Sequence, residues 1–418
     1  MHFTFTDALW AIGALVLVVF LYTAIKKSLA FYRLASFYKP ANLIESFRHA
    51  KDNFPTHTVH KGETISALKY ADEEVTLPDT YPFRGKQMSI SALMDDTDTT
   101  GLLVMRNGTV LYEHYFLGEQ ASDRHLQFSV SKSFLSALVG IAVHDGLIGS
   151  IDEQVTKYLP EMKGTGYDGV SIRDALTMST GIKFTEDYAD LRSDVNRMSM
   201  AIGMGGSLDE FAKSLKRDRE PGTYNDYISV NSHILGMILT RVTGKTLAEY
   251  LEEKLWKPMG MEQDAYYLVD GKGMEVAMGG LQVCLRDMAR FGQLYLNKGR
   301  WGDKQLVPEA WVTESVTPNA PHLMPGHNNP LSSSPFGYGF QWWTPVEPHG
   351  DFTAAGIYHQ FIYVDPTTGI VIAKTSSNKG FNDPKNADQK EMIITAMQAI
   401  SVGLGAGEEA PAQAVAGE

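Results

Sequence analysis

Apolar and polar residues alternate along this chain in distinct regimes. Residues 8–25, ALWAIGALVLVVFLYTAI, are uncharged and almost wholly apolar. At about 1.5 Å per residue, such a run is just long enough to cross a bilayer as a helix. Trp10 and Tyr22 stand near its ends, where interface aromatics sit. The preceding MHFTFTD has no Lys or Arg, and LYTAIKK is a poor cleavage site, so the run reads as an uncleaved anchor. Residues 28–85 follow with short apolar groups and no long period.

From residue 100 the pattern sharpens. In GLLVMRNGTVLYEHYF, two β-rich apolar runs flank Asn107-Gly108, a strong hairpin signal. Val130, Phe134, Leu138 and Ile141 then recur at helical spacing, which predicts an amphipathic helix opening at Ser129 and ending at His144-Asp145-Gly146. Residues 150–335 are mostly helical patterns broken by loops, clearest in VSIRDALTMSTG and GKTLAEYLEEKLWKPMGM. Strands return in FGYGFQWW (336–343) and in QFIYVDPTTGIVIAKTS (360–376), the second a hairpin around DPTTG. A final helix over about 386–402 precedes GLGAGEEAPAQAVAGE, whose small, acidic, Pro-containing composition predicts a disordered tail. This order predicts an α+β fold: one antiparallel sheet built from both chain ends, flanked by helices, with a helical region inserted between its halves. The expected divisions are an anchor at 1–27, a membrane-proximal extension at 28–85, the folded domain at 86–402 and the tail at 403–418.

Composition narrows the chemistry. Hydrophobic content of 44% and charged content of 21% fit a folded globular chain. A formal net charge of -12 argues against nucleic acid, whose binders carry basic patches. The single cysteine, Cys284, excludes an intrachain disulfide, a Cys-x-x-Cys redox site and a zinc–cysteine site. His57 and His60 in THTVH lie in a Pro- and Thr-rich context that is not helical, and they read as exposed histidines rather than metal ligands. Asp152 reads as a turn residue, His233 as part of a helix face, and Asp287 as a cap or a pairing residue on a helix. No cofactor is expected.

Ser-x-x-Lys occurs four times, starting at Ser36, Ser66, Ser129 and Ser376, and only the Ser129 copy opens a strongly periodic helix. Residues three apart share a helix face, so Lys132 stands one turn from Ser129. A helix N-terminus favours anionic character at the serine. A desolvated lysine loses its proton more readily and then serves as a base for a hydroxyl that is otherwise a poor nucleophile. On its own, the stretch also fits a capping serine and a solvated lysine.

PGTYNDYISVNSHILG (221–236) and FTAAGIYHQFIYVDPTTG (352–369) follow in order. With FSVSKSF, they resemble the serine β-lactamase-like hydrolases: class C β-lactamases, DD-peptidases, and the esterases and 6-aminohexanoate-dimer hydrolase grouped with them. The resemblance covers about residues 95–400. SIRDALTMSTGI, MGGLQVCLRDMARFGQLYLNKGRWGDKQLVPEAWV and YGFQWW support it, each weak alone but together in order and at family spacing. It implies Ser129 as nucleophile, Lys132 as the helix lysine, and Tyr227 as the tyrosine that shares their proton network, with Ser229 two residues on and Tyr224 as the rival. The pair would need a Tyr227 phenol whose pKa is pulled down by adjacent positive charge. It also implies an oxyanion hole made by the backbone N–H groups of Ser129 and Ile357.

The third motif departs from the family. Ala354-Ala355-Gly356 stands where Lys-Thr-Gly or His-Thr-Gly is usual. Gly356 lets substrate lie close to the strand, but Ala354 offers no charge for a substrate carboxylate. That disfavours β-lactam or peptidoglycan substrates and favours esters and small amides. AAG and KFTEDYADLRSD (183–194) resemble the 6-aminohexanoate-dimer hydrolase branch, in which Tyr188 would cover substrate; the other reading is a packed loop aromatic. His359 stands where that branch usually has glycine, and it either contacts substrate or points away.

The expected protein is a membrane-anchored serine hydrolase cleaving a carboxylic ester or small amide through an acyl-enzyme. A β-lactamase or DD-peptidase is the enzymatic alternative, and a non-catalytic membrane-tethered binding protein on a hydrolase fold is the other. Its partners would be a small ester or amide and the bilayer. Lys26, Lys27 and Arg33 favour a cytoplasmic domain by charge bias, whereas family habit implies the periplasm or the exterior.

Overall fold

The computed structural model describes residues 5–405. Helix α1 (Phe5–Phe37) is continuous through the apolar run and ten residues past the expected anchor boundary. At about 1.5 Å per residue its 33 residues exceed the roughly 30 Å hydrocarbon core. Its first part exposes apolar side chains all round, among them Leu15, Val18 and Phe20. Its C-terminal end instead docks on the protein: Leu34 lies against Gly203, and Phe37 is buried.

Beyond the end of α1, the expected extension is built into the folded body. Thr56–Val59 pairs antiparallel with Ala265–Leu268 in a four-stranded sheet completed by Leu281–Val283 and His125–Leu126. β1 (Lys69–Tyr70) joins the main sheet, in parallel. The hairpin expected around Asn107-Gly108 is β2 (Thr99–Arg106) and β3 (Thr109–Tyr115). Both turn residues have positive φ, 47° and 84°, as a tight two-residue hairpin requires.

Helix α2 (Ser131–His144) follows a 3₁₀ turn at Phe128–Val130, so Ser129 sits in the turn rather than on the α-helix. The helix was expected to be amphipathic. It is a central core helix, with Lys132 buried alongside Phe134, Leu138 and the serines between them. Helix α3 (Ser229–Thr243) packs on α2, and α4 (Leu285–Leu296) lies across the sheet. FGYGFQWW is not one strand but two short ones, β4 (Gly337–Tyr338) and β5 (Trp343–Thr344). Gln341 at φ 64° turns the chain between them. β6 (Phe352–Gly356), β7 (Gln360–Asp365) and β8 (Ile370–Ser376) continue the sheet, and α5 (Gln389–Gly405) closes the described chain. The tail expected from 403 thus begins inside a helix, and its residues 406–418 lie outside the described residues.

The main sheet runs β4-β5-β6-β7-β8-β2-β3-β1, antiparallel except at β1. Both ends of the chain therefore build one sheet, β8 pairing with β2 at its centre. Side chains alternate between faces. Leu103, Met105, Ile362, Val364, Val371 and Ala373 pack in the core shared with α2 and α4. Leu102, Val104, Tyr363 and Ile372 pack with Ile393, Met397 and Ile400 of α5.

Gly292 lets α4 lie directly on this sheet. A Cβ there would sit 2.5 Å from Val371 Cγ1 and 2.8 Å from Ile362 Cγ2. Both neighbours are β-branched and stiff. Gly292→Ala is expected to destabilise by about 1–3 kcal/mol through overpacking, outweighing the roughly 1 kcal/mol of helix propensity gained. A melting temperature unchanged or raised in this variant would refute that close approach.

Candidate active site

The short strand His125–Leu126 leads straight into Ser129. Phe128, immediately before it, has φ 46°, a strained conformation for a bulky residue that costs about 1–3 kcal/mol. Packing holds it: the Phe128 ring meets Phe47 at 4.9 Å and Tyr358 at 5.3 Å between centroids. Ser129 Oγ caps no helix; it faces Lys132.

Lys132 Nζ donates to Ser129 Oγ at 2.8 Å, to the Met278 carbonyl at 2.7 Å and to Ser229 Oγ at 3.3 Å. These three contacts use all three protons of an ammonium. Once one proton is lost, the lone pair can turn toward Ser129 Oγ. Burial favours that loss, lowering the Lys132 pKa to about 7, against an opposing effect of Glu186. The reading of a solvated lysine is therefore overturned.

Tyr227 and Ser229 lie at the start of α3, which packs beside α2, so two motifs almost a hundred residues apart meet at neighbouring helix ends. Lys132 Nζ lies 5.1 Å from the Tyr227 ring centroid, and Tyr227 and Ser129 line the same cavity. Tyr224 is elsewhere, its ring under the Arg219 guanidinium at 3.9 Å. The expectation of a depressed phenol pKa is not met. Burial first, then the Glu186 charge, push Tyr227 well above the ordinary tyrosine range. Desolvation makes the lysine lose its proton more readily, whereas the tyrosine remains a neutral phenol.

Sequence reasoning missed Glu186. Its carboxylate accepts from the Ser229 backbone N–H at 3.0 Å and the Ser229 hydroxyl at 2.5 Å, so it sits at the positive end of α3. Tyr188 donates to it at 2.6 Å. The stretch KFTEDYADLRSD held this acid two residues before Tyr188, but no spacing rule distinguishes it from the other acids nearby.

Gly356 ends β6 against the turn that carries Ser129. A Cβ there would lie 2.5 Å from the Gln127 carbonyl and 3.2 Å from Ser129 N, so no side chain fits. Ser129 and Ile357 both line one cavity of about 310 Å³, and among the described residues neither backbone N–H donates to a protein acceptor. Tyr188, Tyr227, Gly356 and His359 share that cavity with Glu186, Trp343, Phe361, Phe381 and Lys390. Every expected site residue is thus at one place. His359 is held by Gln389 Oε1 at 3.1 Å, and burial lowers its pKa to about 3, so it stays neutral. Ala354 packs in the core and Ala355 lines the cavity.

The remaining candidates are structural. His57 Nδ1 lies 2.8 Å from Glu275, and Asp152 pairs with Arg173 at 2.6 Å. His233 meets Asp209 at 2.8 Å, and Asp287 accepts from Arg290 at 2.9 Å.

Comparison with known proteins identifies the family and the fold. The Beta-lactamase family profile matches residues 89–396. Over 292 residues, covering 68% of this chain and 74% of the relative, the sequence is 35% identical to the 6-aminohexanoate-dimer hydrolase of Paenarthrobacter ureafaciens. A Bacillus anthracis structure provisionally named a 6-aminohexanoate-dimer hydrolase superposes with a TM-score of 0.76 at 26% identity, covering 86% of this chain and 92% of that one. EstCE1, a hydrolase with promiscuous acyltransferase activity, shares the fold at a TM-score of 0.59 and 14% identity, over 74% of this chain and 96% of its own. With a serine, a buried lysine and a tyrosine brought together on that fold, the chain belongs to the β-lactamase family of serine hydrolases.

Proposed function

We propose that this protein hydrolyses carboxylic esters and small amides through an acyl-enzyme on Ser129, anchored to a membrane by the N-terminal part of α1. The observation that carries the reading is the buried Lys132 amine 2.8 Å from Ser129 Oγ, with its pKa near neutrality.

The neutral amine takes the Ser129 proton as Oγ attacks the substrate carbonyl, forming the C–O bond and placing charge on the carbonyl oxygen. The Ser129 and Ile357 N–H groups receive that oxyanion. The tetrahedral adduct collapses, and the leaving alcohol or amine departs with a proton relayed by the Tyr227 phenol. Water then attacks the acyl-enzyme, giving up a proton to the same pair; the adduct breaks its bond to Ser129 Oγ, which takes that proton back as the acid leaves. A neutral phenol and a neutral amine perform this relay without a buried tyrosinate. The Paenarthrobacter relative is named for a 6-aminohexanoate dimer, which supports small linear amides beside esters. The apolar wall of Trp343, Ala355, Ile357, Phe361 and Phe381 suits an alkyl chain.

A fluorophosphonate is expected to add once, on Ser129, and Ser129→Ala to lose both the adduct and hydrolysis. Peptide mapping and an ester assay check this, and full hydrolysis by Ser129→Ala would sink the proposal. Lys132→Ala should lower kcat by about 10²–10⁴-fold, the usual worth of a general base.

The pH profile has a defined sign. Only the unprotonated amine accepts the serine proton, so kcat/KM should rise as pH climbs through about 7. Glu186 stabilises the ammonium and raises its pKa. Glu186→Gln should therefore move that rising limb to lower pH; a shift to higher pH contradicts the assignment of Lys132 as base.

The chain is expected to stay with membranes through an alkaline carbonate wash. Release into the supernatant would show that α1 does not anchor it.

A further inference from the structure

The cavity holds a second lysine that the catalytic cycle does not use. Lys390, on the first turn of α5, is half-buried in the cavity wall, and its ammonium sits 3.3 Å from the Trp343 ring centroid and 4.4 Å from that of Phe336. Among the described residues it makes no ion pair and no hydrogen bond, and its contacts are these ring faces. The cavity's carboxylates do not satisfy it: Glu186 is engaged by Ser229 and Tyr188, and Asp226 forms no ion pair with it. An ammonium on aromatic faces keeps some stabilisation, but its hydrogen-bond donors stay unused. Desolvation lowers its pKa to about 7, and a docked anion would hold the proton on.

Its position relative to the reacting centre follows from Trp343. That ring stacks on Tyr227 with centroids 5.1 Å apart, and the Lys390 ammonium rests over the same ring. The amine is therefore no farther from the Tyr227 ring than those two distances laid end to end. The backbone that carries it is fixed: Gln389 beside it accepts from Asn378 at 2.7 Å and contacts His359 at 3.1 Å. His359, on the turn that follows β6, thus ties the start of α5 to the oxyanion strand.

We propose that Lys390 is a carboxylate-recognition site, and that the preferred substrates carry a free carboxylate a few carbons from the scissile ester or amide. Calling that carboxylate part of a substrate rests on the hydrolase reading above; the binding of the anion does not. The cation missing at Ala354 is then supplied from a different element, the C-terminal helix. Its apolar stem and the walls of Trp343, Phe361 and Phe381 accommodate the alkyl spacer, and its ammonium takes the charge at the end.

Calorimetric titration of the full chain in zwitterionic nanodiscs, with hexanoate and with neutral hexanamide as probes, tests this without turnover. The wild type is expected to bind hexanoate at least tenfold tighter than hexanamide. Lys390→Met, which keeps the stem, should bring the two within about threefold, and Lys390→Arg should keep the preference. Equal affinities in the wild type overturn the proposal, as does a preference that survives in folded Lys390→Met. Should Lys390→Met fail to fold by its melting curve, Lys390→Gln takes its place, and the wild-type comparison decides by itself. Hexanoate preference through Lys390 without any Ser129 adduct would end the hydrolase reading and leave this one standing.

Discussion

The burial of one ammonium group governs this structure. Lys132 is nearly inaccessible inside a core helix, and a charge placed there loses its hydration. Two responses are available, pairing with a full counter-charge or deprotonation, and the surroundings allow only part of the first. Met278 offers a carbonyl, Ser129 and Ser229 offer hydroxyls, and Glu186 stands one hydroxyl away behind Ser229. A direct carboxylate partner would have held the lysine charged and useless as a base. Placing Ser229 between them leaves enough negative potential to orient the group and too little to fix its proton. The phenol of Tyr227 feels the same burial and responds in the opposite sense, because its charged form is the anion. Desolvation thus favours the neutral form of both groups.

The second constraint is backbone strain beside Ser129, at Phe128, and just after β6, at Tyr358 and His359, all with positive φ. Such conformations persist only where packing overdetermines them. Here the packing comes from ahead of the hydrolase motifs: Phe47 contacts both Phe128 and Tyr358, and Phe37 packs on Phe47. The segment that follows the apolar helix thereby supports the backbone around Ser129, and it adds strands to the four-stranded and the eight-stranded sheets. The end of the apolar helix and the backbone around Ser129 meet in one small aromatic cluster.

In the proposed function, the cavity wall adds substrate selection. A sheet edge, the loop bearing Glu186 and Tyr188, and the first turn of α5 converge there from distant parts of the chain. Lys132 stands on α2 on one side of the sheet, and Lys390 arrives on α5, which packs on the other. A neutral residue at Ala354 does not make the site blind to anions when another layer can present an amine.

Local pattern determined a large part of this protein. Alternation and Asn107-Gly108 defined one hairpin, DPTTG another, and an uncharged apolar run defined α1, because turn chemistry and hydrophobic periodicity act within a few residues. Motif order also located Ser129, Lys132, Tyr227 and Gly356, and the structure brings all of them together. Tertiary structure alone decided the rest. The helix after Ser129 looked amphipathic, yet it is enclosed on every side, since burial depends on what packs against a helix and not on its own period. FGYGFQWW read as one strand because its turn depends on Gln341 adopting positive φ, which no residue-type rule announces. Glu186 and Lys390 carried no motif at all; their importance lies in what stands beside them, a serine hydroxyl in one case and a bare indole face in the other. A pKa has the same origin: the residue type supplies its ordinary value, and only the surrounding fold decides how far and in which direction it moves.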